Sequence, residues 1–140
     1  MRKLKNLGIR LALFASLIMV VSACTTYVSP KKVERIITVD SWKITSFVFN
    51  GTDIASQFSD KTVGFGESGT ITFFPTIGET GSWTTSSGRK PTLLYIQGFV
   101  ADPYFNLNDD WTVVECGKFT VKLESEVGST TNTITLIKIE

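Results

Sequence analysis

The chain has 140 residues, with 14 lysines and arginines, 13 aspartates and glutamates, two cysteines and no histidine. Without histidine the chain lacks the usual catalytic base and the commonest protein metal ligand. No Gly-x-Ser-x-Gly motif or phosphate-binding loop is present either, so we expect no enzyme, no cofactor and no metal site, although a glycosidase-type carboxylate pair stays open.

The N-terminal segment has the three parts of a secretory signal. Four basic residues precede an apolar stretch over 11–21, and the small residues Ser22 and Ala23 lead into Cys24. This stretch is shorter than the roughly 20 residues that span a bilayer, which disfavours the alternative of a retained anchor. The junction resembles the lipobox of bacterial lipoproteins, and the resemblance implies cleavage before Cys24 and acylation of that residue, palmitate included.

The lipobox resemblance implies a membrane partner, reached through the acyl chains on Cys24. Thr25 rather than an aspartate follows the cysteine, which by analogy with bacterial lipoproteins favours the outer membrane. No acidic run follows, so the periplasmic face is favoured and the cell surface is the alternative. Removal of the four basic residues of the signal leaves ten basic and 13 acidic residues, a net charge of −3, which disfavours a nucleic-acid partner.

The chain divides into a signal peptide over 1–23, a lipidated tether over 24–38 and one domain over 39–140. The tether has few large apolar residues, and these show no sustained helical or strand periodicity. Its basic residues Lys31, Lys32 and Arg35 are interpreted as a solvated face, with contact to anionic headgroups as the alternative. With Cys24 acylated, Cys116 has no partner for a disulfide and is interpreted as a small buried hydrophobic residue.

The domain shows eight short strands joined mostly by tight turns. The predicted strands cover 42–50, 61–66, 70–74, 80–86, 92–99, 110–116, 119–125 and 132–139. In the first strand the alternation changes phase near Ser46, which predicts a bulge, and the strand ends at the turn signal Asn50-Gly51. One short helix is predicted over 53–59, capped by Asp53.

The strand order predicts an all-β fold, an antiparallel up-and-down eight-stranded barrel with one short helix after the first strand. Closure removes the exposed edges of the sheet, and eight strands enclose room for side chains or for one small ligand. In the seventh strand, Phe119, Val121 and Leu123 are predicted to share one face. A two-sheet sandwich is the alternative, but it needs long crossing connections, and only 101–108 forms a longer loop.

Several fragments carry a family resemblance through their order and spacing, at 42–47, 50–54, 69–73, 81–83, 107–114 and 133–138. Together they resemble the lipocalin-like lipoproteins of Bacteroidetes. The resemblance implies a barrel with a membrane-distal mouth and an apolar ligand. Two positions depart from lipocalins: Asp40 replaces a glycine before the first tryptophan, and Lys138 is the only cation near the place of an arginine that packs on Trp42.

The aromatic residues are the remaining signal for function. Trp83, Tyr95 and Phe99 are predicted to line a ligand site in the barrel, with simple filling of the core as the alternative for each. Tyr104 and Phe105 lie in a loop and are predicted to form a contact surface, with capping of one barrel end as the alternative.

Two functions follow from these patterns. The first is non-catalytic binding of a small apolar or amphipathic molecule in the barrel. The second is a packed barrel that acts as an interaction or structural module, with the loop over 101–108 docking another envelope protein. Asp109 and Asp110, with Asn106 and Asn108 nearby, match no calcium-binding pattern and are interpreted as a polar loop that enters a strand.

Overall fold

The computed structural model describes residues 27–75, 78–88 and 90–140. The predicted signal and Cys24 lie outside the described residues. The elements in chain order are α1 (Pro30–Ile37), β1 (Ser41–Phe49), β2 (Thr52–Asp53), a 3-10 helix (Ala55–Phe58), β3 (Thr62–Phe65), β4 (Thr70–Phe74), β5 (Thr80–Thr85), β6 (Leu93–Gln97), a second 3-10 helix (Tyr104–Leu107), β7 (Asp109–Cys116), β8 (Thr120–Val127) and β9 (Thr130–Lys138). No helix within these residues has the length and apolar character needed to cross a bilayer.

Eight of the nine strands form the predicted antiparallel barrel. Each of β3 to β8 pairs with the next strand in sequence, β1 pairs with β3, and pairing of β1 with β9 closes the sheet. The two-residue strand β2 lies outside this ring and only folds back onto the end of β1, where Asp53 faces Val48. The 3-10 helix Ala55–Phe58 is the predicted short helix after the first strand, so the expected fold class is confirmed.

The predicted bulge in the first strand is confirmed. The register between β1 and β9 shifts between Ile44 and Ser46, which leaves Thr45 as the extra residue. Ile44 and Phe47 therefore both point into the barrel, although they are three positions apart, and both are buried. One strand thus buries large side chains on a single face despite its broken alternation.

The first helix occupies a stretch expected to be a tether. Ser29 caps α1 by accepting a hydrogen bond from the backbone nitrogen of Lys32 at 3.3 Å, and Pro30 stands at the first helical position. Val33 and Ile37 lie one turn apart and are fully buried against the barrel. Only Val33, Ile36 and Ile37 of its eight residues are large and apolar, and this is too short a pattern to predict a helix from the sequence.

The folded domain consequently begins near Val28 and not at 39. Val28 is buried, and its carbonyl accepts a hydrogen bond from the Thr92 hydroxyl, which is also buried. The indole Nε1 of Trp42 donates to the carbonyl of Ile37 at 3.1 Å, which fixes the end of the helix over the barrel. These contacts correct the predicted extent of the tether.

The up-and-down order gives the barrel two distinct ends. The helix-capped end carries α1, the β3–β4 turn, the β5–β6 connection, the β7–β8 turn and the residues that follow β9. The aromatic end carries the β1–β3, β4–β5, β6–β7 and β8–β9 connections, including both 3-10 helices.

Candidate functional site

The barrel interior is almost completely filled. Its apolar cavity has a volume of about 20 Å³ and is lined by side chains such as Ile44, Phe65, Leu123 and Ile134. A site for a small molecule usually has about 300 to 1,000 Å³, whereas 20 Å³ holds about one water molecule. The interior in this structure therefore has no room for a lipocalin-type ligand.

Tyr104 belongs to the filling of the aromatic end and not to its surface, which corrects the predicted contact pair. Its side chain is only 4% exposed. Its ring centroid lies 4.8 Å from that of Phe73, 5.7 Å from that of Phe58 and 6.0 Å from that of Phe99. The second 3-10 helix turns the ring inward, because Trp111 Nε1 holds this helix by donating to the Leu107 carbonyl at 2.8 Å.

The three predicted wall residues do not share a cavity. Tyr95 faces away from the interior, because its strand neighbours Leu94 and Ile96 point inward and are buried. Phe99 is 2% exposed and packs at the aromatic end, with its ring centroid 5.8 Å from that of Phe73. Phe99 fits the alternative interpretation, filling of the core, whereas Tyr95 on the outer face of its strand fits neither interpretation.

Trp83 is the one predicted wall residue that lines a large opening. Its indole Nε1 donates to the Gly66 carbonyl at 3.1 Å, and its ring meets Phe65 edge-on at 6.2 Å. The half-buried side chain borders an open cleft of about 700 Å³ between α1 and the β3–β4 turn, together with Arg35 and Glu67. This cleft lies outside the barrel, at the helix-capped end.

The remaining chemistry-bearing groups serve the fold. Burial raises the pKa of the Cys116 thiol to about 11, and the charge of Lys32 offsets part of this increase, so the thiol is protonated at neutral pH. Asp109 accepts a hydrogen bond from the hydroxyl of Ser125. Within the described ranges, no group of three or more histidine, cysteine or acidic side chains is arranged to hold a metal ion.

Asn108 explains how the β6–β7 loop keeps its shape. Its side-chain Oδ1 accepts from the backbone nitrogen of Phe99 at 3.1 Å, and its Nδ2 donates to the carbonyl of the same residue at 2.8 Å. The two bonds fasten the end of the loop to its beginning. Between these fixed points Val100 is 86% exposed and Phe105 is 55% exposed. The loop thus presents two apolar side chains on an ordered backbone, and Val100 was not singled out in the sequence.

Acidic side chains surround this loop at the aromatic end. The described acidic residues there are Asp53, Asp60, Glu79, Asp102, Asp109, Asp110 and Glu126, and the described basic residue is Lys61. Lys61 lies 3.5 Å from Asp60 and offsets one of these charges. The exposed apolar pair therefore lies at an end of the barrel where carboxylates predominate.

Comparison of the chain with protein-family models and with curated proteins finds no match. The candidate regions are therefore defined by geometry alone. They are the ordered apolar loop at the aromatic end and the open cleft beside Trp83 at the helix-capped end.

Proposed function

We propose that this protein is a lipocalin-like envelope lipoprotein whose packed barrel serves as a protein-interaction module. Acyl chains on Cys24 would anchor it in the outer membrane, with the barrel on the periplasmic face. The observation that carries the interaction function is the contrast between an interior cavity of about 20 Å³ and the exposed side chains of Val100 and Phe105.

The order of the β6–β7 loop supports docking at this place. Binding fixes side chains and loops, so a loop that is already held by Asn108 loses little conformational freedom when a partner binds. The apolar pair Val100 and Phe105 would form the centre of the contact, and the surrounding carboxylates would form its rim. The complementary partner is an envelope protein with an apolar depression bordered by lysine or arginine.

Carriage of a small apolar or amphipathic molecule is the competing function. A ligand inside the barrel would have to displace the ring of Phe99 or Tyr104, both of which are buried among other aromatic rings. The aromatic cluster therefore weighs against an interior ligand. Native mass spectrometry of the protein from its own envelope separates the two functions, because a reproducible bound mass of ligand size would overturn the packed-barrel proposal.

Site-specific crosslinking tests the docking loop directly. A photoreactive phenylalanine analogue at position 105 should give one covalent adduct of discrete mass in cells, and Val100→Ser should abolish it. The same analogue at Tyr95, a half-buried aromatic side chain on the outer barrel wall, is the matched control. Equal adducts from both positions, or none from position 105, would contradict the proposal.

A further inference from the structure

The connection between the predicted acylation site and the folded domain is short. Cys24 lies four residues before Val28, whose carbonyl is fastened to the barrel by Thr92. Four extended residues span at most about 14 Å, whereas a tether over 24–38 could reach roughly 50 Å. An acyl group on Cys24 would therefore hold the helix-capped end against the bilayer, since Val28 enters the fold at that end.

The two ends of the barrel differ in charge. The described basic residues at the helix-capped end are Lys31, Lys32, Arg35, Lys43, Lys90, Lys118, Lys122 and Lys138. The described acidic residues at this end are Glu34, Asp40, Glu67, Glu115 and Glu140. The aromatic end has the opposite balance, with its row of carboxylates and Lys61. An anionic surface would repel the aromatic end and accept the helix-capped end.

Four of the basic side chains converge on one groove. Lys32 and Arg35 of α1 line it together with Lys118 of the β7–β8 turn and Lys138 at the end of β9, around a volume of about 510 Å³. Asp40 lies in the same groove, and its carboxylate is 3.1 Å from the ammonium of Lys138. After that pairing, three positive side chains remain in the groove to attract anions.

Apolar side chains border these charges at the helix-capped end. Val39 is 72% exposed and Phe119 is 55% exposed. Phe119 was predicted to share a face with Val121 and Leu123, but β8 begins one residue later and the turn directs the ring outward, where the ammonium of Lys118 lies 5.3 Å from its centroid. Exposed Tyr27 makes a similar pair with Lys90 at 4.8 Å. Aromatic rings beside lysine ammonium groups suit the headgroup layer of a membrane.

We infer that the helix-capped end is a membrane-contact surface that recognises a bilayer with anionic headgroups. The inference rests on the proposed acylation of Cys24 and adds an orientation to it. Basic side chains in the groove contact lipid phosphates, Phe119 and Val39 enter the headgroup region, and the acidic aromatic end faces away from the membrane. The docking loop is thereby presented to the periplasm.

The orientation can be measured on the acylated protein. The protein is purified from membranes, its intact mass is determined, and it is reconstituted into vesicles of phosphatidylcholine with 30% phosphatidylglycerol. A fluorescent label on Phe119→Cys, in a Cys116→Ala background, should be quenched by headgroup-labelled lipid at least threefold more than the same label on Phe105→Cys. Equal quenching in a protein with acyl mass overturns this surface alone, whereas a mass without acyl chains overturns the anchoring as well.

Charge reversal tests recognition of the headgroups. Lys32→Glu with Lys118→Glu should lower quenching at position 119 to the level found in vesicles of phosphatidylcholine alone. Lys118→Glu alone should lower the quenching in part. Lys61→Glu, which reverses one charge at the aromatic end, is its matched control and should leave the quenching unchanged. Unchanged quenching after the first pair overturns the proposal. A label at 119 that is shielded from aqueous quencher but unaffected by lipid would also overturn it, since a protein would then cover this end.

Discussion

The two ends of this barrel are closed by the same kind of hydrogen bond, but their outer surfaces differ in charge. At the helix-capped end Trp42 donates to the carbonyl of Ile37, and at the aromatic end Trp111 donates to the carbonyl of Leu107. In both cases a buried indole from a barrel strand holds a helical segment over the opening. The outer surfaces differ, because basic side chains outnumber acidic ones at the first end and carboxylates predominate at the second.

This difference shows that closure of the barrel ends and the charge of their outer surfaces are separable in a small barrel. The residues that close each end are buried and apolar, whereas the residues that could meet a membrane or a partner stand next to them on the same segments. Tyr104 and Phe105 are the clearest example, since adjacent positions of one 3-10 helix have opposite exposures. Substitutions at such neighbours can therefore break one property and leave the other.

Tyr104→Ser should have the largest effect on stability. Loss of a buried aromatic side chain lowers the free energy of unfolding by about 3 to 5 kcal/mol, because the surrounding rings cannot fill the space. Phe105→Ser is the matched control and should change it by less than about 0.5 kcal/mol. Urea unfolding of both variants measures the difference, and similar losses would mean that Tyr104 does not fill the aromatic end.

Ile37→Ala should produce the next largest effect, at the opposite end. We expect a loss of about 2 to 4 kcal/mol in the free energy of unfolding, since the side chain is fully buried under α1. Val39→Ala, two residues later and exposed, should have little effect on the same measurement. If both substitutions are neutral, the segment is a tether after all and the helix-capped end is open.

Gly81→Ala tests how tightly the aromatic end is packed. A methyl group at Gly81 would lie 2.5 to 2.9 Å from three ring atoms of Phe99, and this ring is held by Phe73 and Tyr104. Such overpacking should lower the free energy of unfolding by about 1 to 3 kcal/mol. Gly64→Ala is the control, because its nearest contacts would be at 3.7 Å. A tolerated Gly81→Ala would show that the aromatic cluster has room to move.

The effect that is smallest at neutral pH is a pH dependence at the helix-capped end. Burial raises the pKa of the Cys116 thiol to about 11 in the folded protein, whereas the pKa of a cysteine thiol in an unfolded chain is about 8.5. Above that pH the unfolded chain binds fewer protons than the folded one, so the stability from this group is complete below about 8.5 and declines up to about 11. Urea titrations should show this decline, and Cys116→Ala should lack that part of it. Identical curves would contradict the shifted pKa.

The strands could be predicted because each carries its own signal. The alternation of apolar and polar residues predicted their positions, the phase change near Ser46 predicted the bulge, and Asn50-Gly51 predicted the turn in which both residues have positive φ. The helix α1 could not be predicted in this way, because its stability comes from Val33 and Ile37 against the barrel and not from its own period.

The candidate site, like the fold, was only partly predictable from the sequence. The sequence drew attention to the loop over 101–108, but not to which of its side chains is exposed. That choice depends on the direction of one 3-10 helix, which Trp111 sets from a neighbouring strand. Tyr95 was misplaced for a related reason, since it lies among apolar residues and only the pairing of β6 shows which face turns outward.

The sequence by itself determined the class of fold, the number of barrel strands and the placing of most turns, because periodicity and turn residues act over a few neighbouring positions. Only the tertiary structure decided how full the barrel is, where the folded domain begins and how charge is divided between the ends. These properties depend on which residues distant in sequence meet at each end, and closure of β1 onto β9 is what brings them together.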